Sequence, residues 1–208
     1  LLSLLMIVSL CPIQIEPLFA STQTIIINDF DTGTGNNQMA FYGSWGTSKG
    51  YPQLFYNGDE HWASIKESNW DTTYVEIRFF GTAIEVYGKQ EGVGGIQSVY
   101  IDDEFVGYAD AYGPKDVQQA KLFDSSDYGA LENDFHVLRY QPSKTKNELA
   151  SGYNIQMDYA KVTYDTTGAI KAANFDQDAY EVKMGNSLNV VPTLYPSDFI
   201  LSINKLIS

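Results

Sequence analysis

Two groups of residues in this sequence have the side-chain types that grip a sugar ring. The first is Trp45, Tyr51, His61 and Trp62, within a segment that also carries Phe41, Tyr42, Phe55 and Tyr56. The second is Tyr108, Asp110 and Tyr112, in a stretch bounded by Gly107 and Gly113. A pyranose has an apolar face and a polar rim. A flat ring covers the face, and Asp, Asn, Arg or His hold the hydroxyls. Covering about 100 Å² contributes ~2.5 kcal/mol at ~25 cal/mol per Å². That is weaker than millimolar affinity, so two or three charge-assisted hydrogen bonds must be added. Multivalency then strengthens weak single sites. Each of these rings has a competing use in the core, because large aromatics usually bury. For His61 the competing use is a structural hydrogen bond.

Catalytic chemistry has less to stand on. The sequence contains no H-E-x-x-H motif, and its single Cys is Cys11. Its two His are His61 and His136, and His136 opens an expected strand, where a structural hydrogen bond is the plain use. With 26 Asp and Glu, a carboxylate pair arising by chance carries no weight as a glycosidase signature. The expectation is a chain that is not an enzyme. The formal net charge of −13 opposes nucleic-acid binding, which needs a basic stripe. It also opposes an electrostatic hold on anionic lipid, and its plain reading is solubility.

The elements that must position these residues are strands. Val75, Ile77 and Phe79 alternate with Glu76 and Arg78, and Ile84 and Val86 with Glu85 and Tyr87. That is the period of half-buried strands. Val99 and Ile101 continue it, and Asp102-Asp103 occupies the place of a two-residue hairpin turn before Glu104-Phe105-Val106. Strands are also expected at Thr24–Asn28, Val117–Phe123 and Phe135–Tyr140. A long closing strand, Ile155–Tyr164, bends where its apolar face switches. Phe41–Trp62 has no clean period and reads as an ordered loop layer with short strands. No segment between strands is long enough for a crossover helix. The fold class is all-β, an antiparallel β-sandwich.

The ends differ from this body. LLSLLMIVSLCPIQIEPLFA, residues 1–20, is apolar for its first eleven positions, then broken by Pro12 and Pro17. It reads as a secretory signal peptide, too short to span a membrane. Lipid attachment at Cys11 is the alternative. The mature chain then has no Cys and no membrane span, and export from a bacterium, to the medium or the cell surface, fits. Residues 21–165 form the sandwich and 166–178 a small, polar linker. Residues 179–208 are too few to make a sandwich of their own.

As an ordered set, several phrases resemble the galactose-binding-like jelly rolls that bacteria use as carbohydrate-binding modules, with families 6 and 35 as relatives. They are Tyr42-Gly43-Ser44-Trp45, Glu60-His61-Trp62-Ala63-Ser64, the run from Val75 to Val86, Val99-Tyr100-Ile101-Asp102-Asp103, Asp110-Ala111-Tyr112, His136 to Tyr140, and Met157 to Val162. The sequence departs from the pattern at Asp103, where such modules carry Gly, and at Asp134-Phe135, where Gly precedes the His. Val182, Gly185, Ser187, Leu188 and Pro196 resemble the opening of a bacterial immunoglobulin-like domain of group 2, without the Trp that follows in that family.

The first resemblance implies a secreted, non-catalytic carbohydrate-binding module. It also implies a structural calcium ion where the first and last strands meet, with Asn28, Asp29 and Asp158 as oxygen ligands. Asp158 sits in an apolar strand, where an unpaired carboxylate is costly. Two alternatives stand beside this reading. One is an adhesion or scaffold module that binds a partner protein or acts as a spacer. The other is an accessory domain of a larger glycoside hydrolase.

Overall fold

Side-chain alternation builds this molecule, and burial follows it in the central strands. The computed structural model describes residues 22–166 and the backbone of two further short strands. The strands are β1 (Thr22–Asn28), β2 (Gln38–Tyr42), β3 (Gly46–Lys49), β4 (Asp59–Ala63), β5 (Tyr74–Gly81) and β6 (Ala83–Gln90). They continue with β7 (Ile96–Ile101), β8 (Glu104–Asp110), β9 (Val117–Asp124), β10 (Asp134–Pro142), β11 (Ile155–Met157) and β12 (Tyr159–Asp165). Three short 3-10 turns are the only helical pieces among the described residues. No helix there is long and apolar enough to cross a membrane.

One sheet runs β2-β5-β10-β7-β8, and the opposing layer runs β1-β12-β6-β9, every named neighbour pair being antiparallel. A third sheet, β11-β4-β3, continues the second layer, because β11 and β12 are one strand interrupted at Asp158. The bend expected in the closing strand is therefore a change of partner. Below Asp158 the strand pairs with β4, and above it with β1 and β6.

The inner positions of all three sheets meet in one core. Ile27, Met39, Ile77, Phe79, Ile84, Val86, Val99, Leu138, Ile155, Met157 and Val162 belong to it, together with Tyr140, whose hydroxyl donates to Gln97 Oε1 at 3.0 Å. The fold is thus an all-β, sandwich-like arrangement of antiparallel sheets. The Asp102-Asp103 turn has φ of 52° and 65°, with Ile101 facing Glu104 across it. Positive φ at both central residues is the type I′ hairpin.

Phe41–Trp62, expected as an ordered loop layer with short strands, has that form: the end of β2, all of β3 and most of β4 are joined by loops and a 3-10 turn. Its period was hidden because both faces of β4 carry polar or aromatic side chains. Asp59, His61 and Ala63 point one way, and Glu60 and Trp62 the other. The expected leader at 1–20 lies outside the described residues. Of 167–208, only the backbone of β13 (Ala172–Asn174) and β14 (Thr193–Tyr195) is described, paired antiparallel.

Candidate functional site

On the outer face of the β3-β4-β11 sheet, beside β6, a cavity of about 200 Å³ is lined by Glu60, Trp62, Lys89, Glu91, Asn154 and Gln156. Register brings these residues together. Trp62 of β4 faces Gly46 of β3 on one side and Gln156 of β11 on the other. Ile155 and Met157 fill the core, so Gln156 between them points outward. On β6, Val86 is buried in the core, and the alternation places Lys89 on the outer face.

Trp62 is 40% exposed, a high value for so large an apolar side chain. It rests on Gly46: a Cβ there would lie 2.7 Å from Trp62 Cζ2. The absence of a side chain at Gly46 therefore lets the indole lie down on β3, with its remaining surface open to solvent.

The polar wall has a lopsided inventory. Glu91 is crowded with donors. It accepts from Lys89 Nζ at 2.7 Å, from Asn154 Nδ2 at 3.3 Å and from Gln156 Nε2. Lys89 also pairs with Asp116 at 2.8 Å. Glu60 receives only Ser48 Oγ, at 3.3 Å on Oε1, and its Oε2 is buried with no partner. Gln156 Oε1 is likewise buried and unpartnered. Burial pushes the Glu60 carboxyl up to about 7, with Ser48 and Lys89 opposing the shift and Glu91 reinforcing it. The cavity thus offers an open aromatic ring, and two of its lining side chains each hold a buried oxygen with no partner.

Of the expected sugar-gripping residues, Trp62 alone lines this cavity. Trp45 packs on the core edge-on to Phe41, with Nε1 donating to the Tyr42 carbonyl at 2.8 Å. Tyr51 is exposed, in the loop after β3, edge-on to Phe55. His61 points inward, a correction to its placing among ligand-facing residues. It is buried, stacks on Phe41 at 4.2 Å and shares a 2.6 Å hydrogen bond with Asp29. Tyr108 is exposed on β8, in the opposite sheet. Asp110 is engaged locally, accepting from Tyr112 N at 2.9 Å and Asn147 Nδ2 at 2.9 Å. Tyr112 bridges to the Glu91 backbone at the end of β6. These residues therefore do not converge on one ligand. Glu60, Lys89, Glu91, Asn154 and Gln156 were passed over because charged and amide residues on a strand's outer face read as a solvated surface. Only the register shows that they enclose a space.

The backbones of the expected metal ligands lie together where the first and last strands pair. The Asp29 backbone N donates to the Asp158 carbonyl at 3.0 Å, and Asn28 pairs with Tyr159. Asp29 and Asp158 are fully buried and Asn28 nearly so. Asn28 Oδ1 and Asp29 Oδ1 have no hydrogen-bond partner. Burial pushes Asp29 up to about 6 and Asp158 up to about 8. Among the described residues no group of three or more His, Cys, Asp or Glu is arranged to hold a metal. A cation here would thus draw on the two carboxylates, the Asn28 amide and backbone carbonyls, a donor set of the kind hard cations take. His136, as expected, is structural, bonded to Asp102 at 2.6 Å and to the Glu132 carbonyl at 2.9 Å.

A larger depression of about 340 Å³ on the other sheet is lined by Glu76, Arg78, Asp102, Asp103, Val137 and Arg139. It has no aromatic ring, and Arg139 is already engaged by Asp103 and by the Tyr100 face.

No family model matches the chain. Two bacterial enzymes of Flavonifractor plautii are similar to part of it. The chain is 30% identical over 131 residues to an A type blood alpha-D-galactosamine galactosaminidase. It is 27% identical over 131 residues to an A type blood N-acetyl-alpha-D-galactosamine deacetylase. Each match covers 63% of this chain, but 11% of the first enzyme and 15% of the second. The chain is thus partly related to proteins that act on carbohydrate, and it spans a small share of their length.

Proposed function

We propose that residues 22–166 form a non-catalytic carbohydrate-binding module whose site is the Trp62 cavity. The observation that carries this reading is an open indole beside two buried oxygens that lack hydrogen-bond donors. The indole would cover the apolar face of one sugar ring, contributing ~2.5 kcal/mol for about 100 Å². Hydroxyls would donate to Glu60 Oε2, the carboxylate bond adding ~1.5–3 kcal/mol, and to the neutral Gln156 Oε1, adding ~0.5–1.5 kcal/mol. Together these reach the millimolar to sub-millimolar range. The cavity is smaller than the ~300–1,000 Å³ typical of drug-sized ligands, so it suits a single ring or a chain end.

The partial similarity to two carbohydrate-acting enzymes, over a small share of their length, supports a module serving a larger protein. The galactose-binding-like family belongs to this reading through the order of motifs in the sequence. A calcium ion held by Asn28, Asp29 and Asp158 belongs to the same reading. The two orphaned oxygens there are what favour it, and its role would be to fix the β1–β12 junction rather than to touch sugar.

The test is retention of the chain on immobilised glycans, with indole fluorescence during sugar titration. Binding is expected, and Trp62→Ala should abolish it while leaving the thermal midpoint within a few degrees. Absence of binding to every glycan, or binding that survives Trp62→Ala, overturns the proposal.

A further inference from the structure

We infer that the β7-β8 hairpin is a docking surface for a basic, partly apolar segment of another protein, which covers Phe105 and Tyr108. The surface belongs to the five-stranded sheet, not to the sheet that carries Trp62, and it stands without the sugar reading.

A shift of strand register builds it. Val99 faces Gly107 and Tyr100 faces Phe105, so Val106 is an extra residue on β8. Residues three apart on a regular strand point to opposite faces. The bulge brings Phe105 and Tyr108 to one face instead, with ring centroids 5.0 Å apart. Tyr100 joins the row 5.6 Å from Phe105, and the Arg139 guanidinium lies 4.9 Å from the Tyr100 ring centre. Val99 and Ile101 fill the core on the opposite face, so the row faces outward. Phe105 is 50% exposed and Tyr108 59%. Such rings carry ~150–250 Å² each, so the two leave on the order of 200 Å² open. On the inner side, the Tyr128 ring fills the space that a Cβ on Gly107 would need, which props the strand in place. Exposed Tyr and Phe gathered in this way are what protein interfaces are enriched in.

Three observations choose the occupant. The first is charge. Residues 96–110 include Asp102, Asp103, Glu104 and Asp110 and no Lys or Arg. The Asp103 side chain is 89% exposed, and Glu104 and Asp110 are exposed as well. In the depression beside the row Arg78 and Arg139 offset part of this, but Glu76 adds a further carboxylate. The surface stays acidic, like the whole chain at −13. It draws a cationic partner, whose Lys and Arg heads find both carboxylates and ring faces. The second observation is that the same charge opposes a second copy, which would bring an identical acidic hairpin against this one. The third is ring geometry. The planes cross at 69° between Tyr100 and Phe105 and at 61° between Phe105 and Tyr108. A pyranose needs a flat platform, whereas edge-on rings receive aliphatic and cationic side chains. β8 also ends its sheet, so an extended segment can lie along it and use its free backbone groups.

The experiment is calorimetric titration of the whole chain at about 0.15 M salt with three capped peptides of about ten residues: alternating Lys and Leu, alternating Lys and Ser, and alternating Glu and Leu. The Lys-Leu peptide is expected to bind about tenfold or more tighter than either of the others. Phe105→Ala and Tyr108→Ala should each weaken it about tenfold, and Glu104→Lys about threefold or more. Trp62→Ala should leave it unchanged. Equal binding of the Lys-Ser peptide would show that charge acts without the rings, and equal binding of the Glu-Leu peptide that charge plays no part. Either result overturns the proposal, as does Lys-Leu binding that survives both ring substitutions or that needs Trp62. Self-association of the free chain in sedimentation, lost on Phe105→Ala, would make the surface a contact between copies. Glycan retention lost on Tyr108→Ala would make it a sugar surface. Each of these also overturns it. The peptide series on the unaltered protein decides the matter even if a variant does not fold, and failure there leaves the Trp62 sugar site standing.

Discussion

The backbone N–H of Tyr56 donates to both carboxylate oxygens of Asp158, at 2.9 and 3.2 Å, across 102 positions of sequence. Asp158 interrupts the closing strand, and its own backbone is also fully used. Its N donates to the Tyr87 carbonyl at 3.0 Å and its carbonyl accepts from Asp29 N at 3.0 Å. One residue therefore ties β1, β6 and the loop between β3 and β4 to the last strand. Asp158→Ala is expected to destabilise the fold by about 1–3 kcal/mol, the cost of leaving a part-buried N–H unpaired. Asp158→Asn, which keeps one acceptor oxygen, should lose less. Urea unfolding of the two variants reads the order, and equal losses would show that the Tyr56 bond is not what Asp158 contributes.

If calcium occupies this junction, it binds the folded chain and not the unfolded one. Saturating calcium then raises the thermal midpoint by several degrees through mass action, since ligand at about 100 times its Kd contributes ~2.7 kcal/mol. EDTA should reverse the shift, and Asp29→Asn should abolish it. Magnesium should do less, because it demands a stricter octahedron. A midpoint indifferent to calcium would remove the ion from the account and leave Asn28 and Asp29 with unexplained orphaned oxygens.

Three buried carboxyls set the pH dependence, and all push the same way. Burial raises Asp29 from 3.8 to about 6, Glu60 from 4.5 to about 7 and Asp158 from 3.8 to about 8. Between the ordinary and the raised values the folded chain holds protons that the unfolded chain has released. The contribution of these groups is therefore complete below the ordinary carboxylate range and is lost as pH climbs through the raised values. Glu85 and Asp124 oppose them at the acid end. Burial pushes Glu85 up, but Tyr87, Lys161 and Lys121 hold it below its usual value. Burial likewise pushes Asp124 up, but Lys121 and Ser126 pull it down. Their contribution vanishes in strong acid. In metal-free buffer the urea midpoint should peak in mild acid and fall steadily toward alkaline pH. Glu60→Gln should flatten the slope between 4.5 and about 7, and Asp158→Asn the slope between 3.8 and about 8. A midpoint that climbs with pH across this window would show that these groups are solvated.

The type I′ turn carries Asp at both positions that need positive φ. The two are not equivalent. Asp102 accepts from His136 Nδ1 at 2.6 Å and Val137 N at 2.9 Å, tying the turn to β10. Asp103 makes only a 3.2 Å contact with Arg139 and its side chain is 89% exposed, so that pair is worth little. Asp103→Gly should stabilise by about 0.5–1 kcal/mol by relieving the left-handed backbone. Asp102→Gly should destabilise. The pair of unfolding curves checks both signs at once.

The legible parts of this fold are those where one face is apolar and the other polar. Val75–Phe79, Ile84–Val86 and the Asp102-Asp103 hairpin stand in the structure where the alternation puts them, and the bend in the closing strand falls at Asp158. The signal fails in β4 because the inward His61 is paired with a buried Asp29 rather than packed as a hydrocarbon, which removes the contrast between faces. The site was half legible. Trp62 stood out by type, but Glu60 beside it and Gln156 across from it gain meaning only from a register joining residues almost a hundred positions apart. Asp110 looks unemployed in sequence and accepts from the Tyr112 backbone N two positions on and from Asn147 Nδ2, 37 positions away, bonds that no periodicity announces.

Gly46 offers a test of the cavity that leaves its chemistry untouched. A methyl group there would lie 2.7 Å from Trp62 Cζ2 and 2.8 Å from Cε2, closer than carbon atoms approach. The clash is with one side chain that is 40% exposed, so the indole can swing away at modest cost. Gly46 itself has ordinary extended backbone in β3, where Ala is tolerated. Gly46→Ala should therefore leave the unfolding midpoint nearly unchanged, within about 1 kcal/mol, since a surface repacking costs little. It should weaken sugar binding about tenfold, because ~1.4 kcal/mol is about half of what the stacked ring supplies. The indole emission should shift to the red as the ring meets more water. Should Gly46→Ala bind sugar as the parent does, the ring's position over β3 is not what holds the ligand, and the grip belongs to the Glu60 and Gln156 oxygens alone.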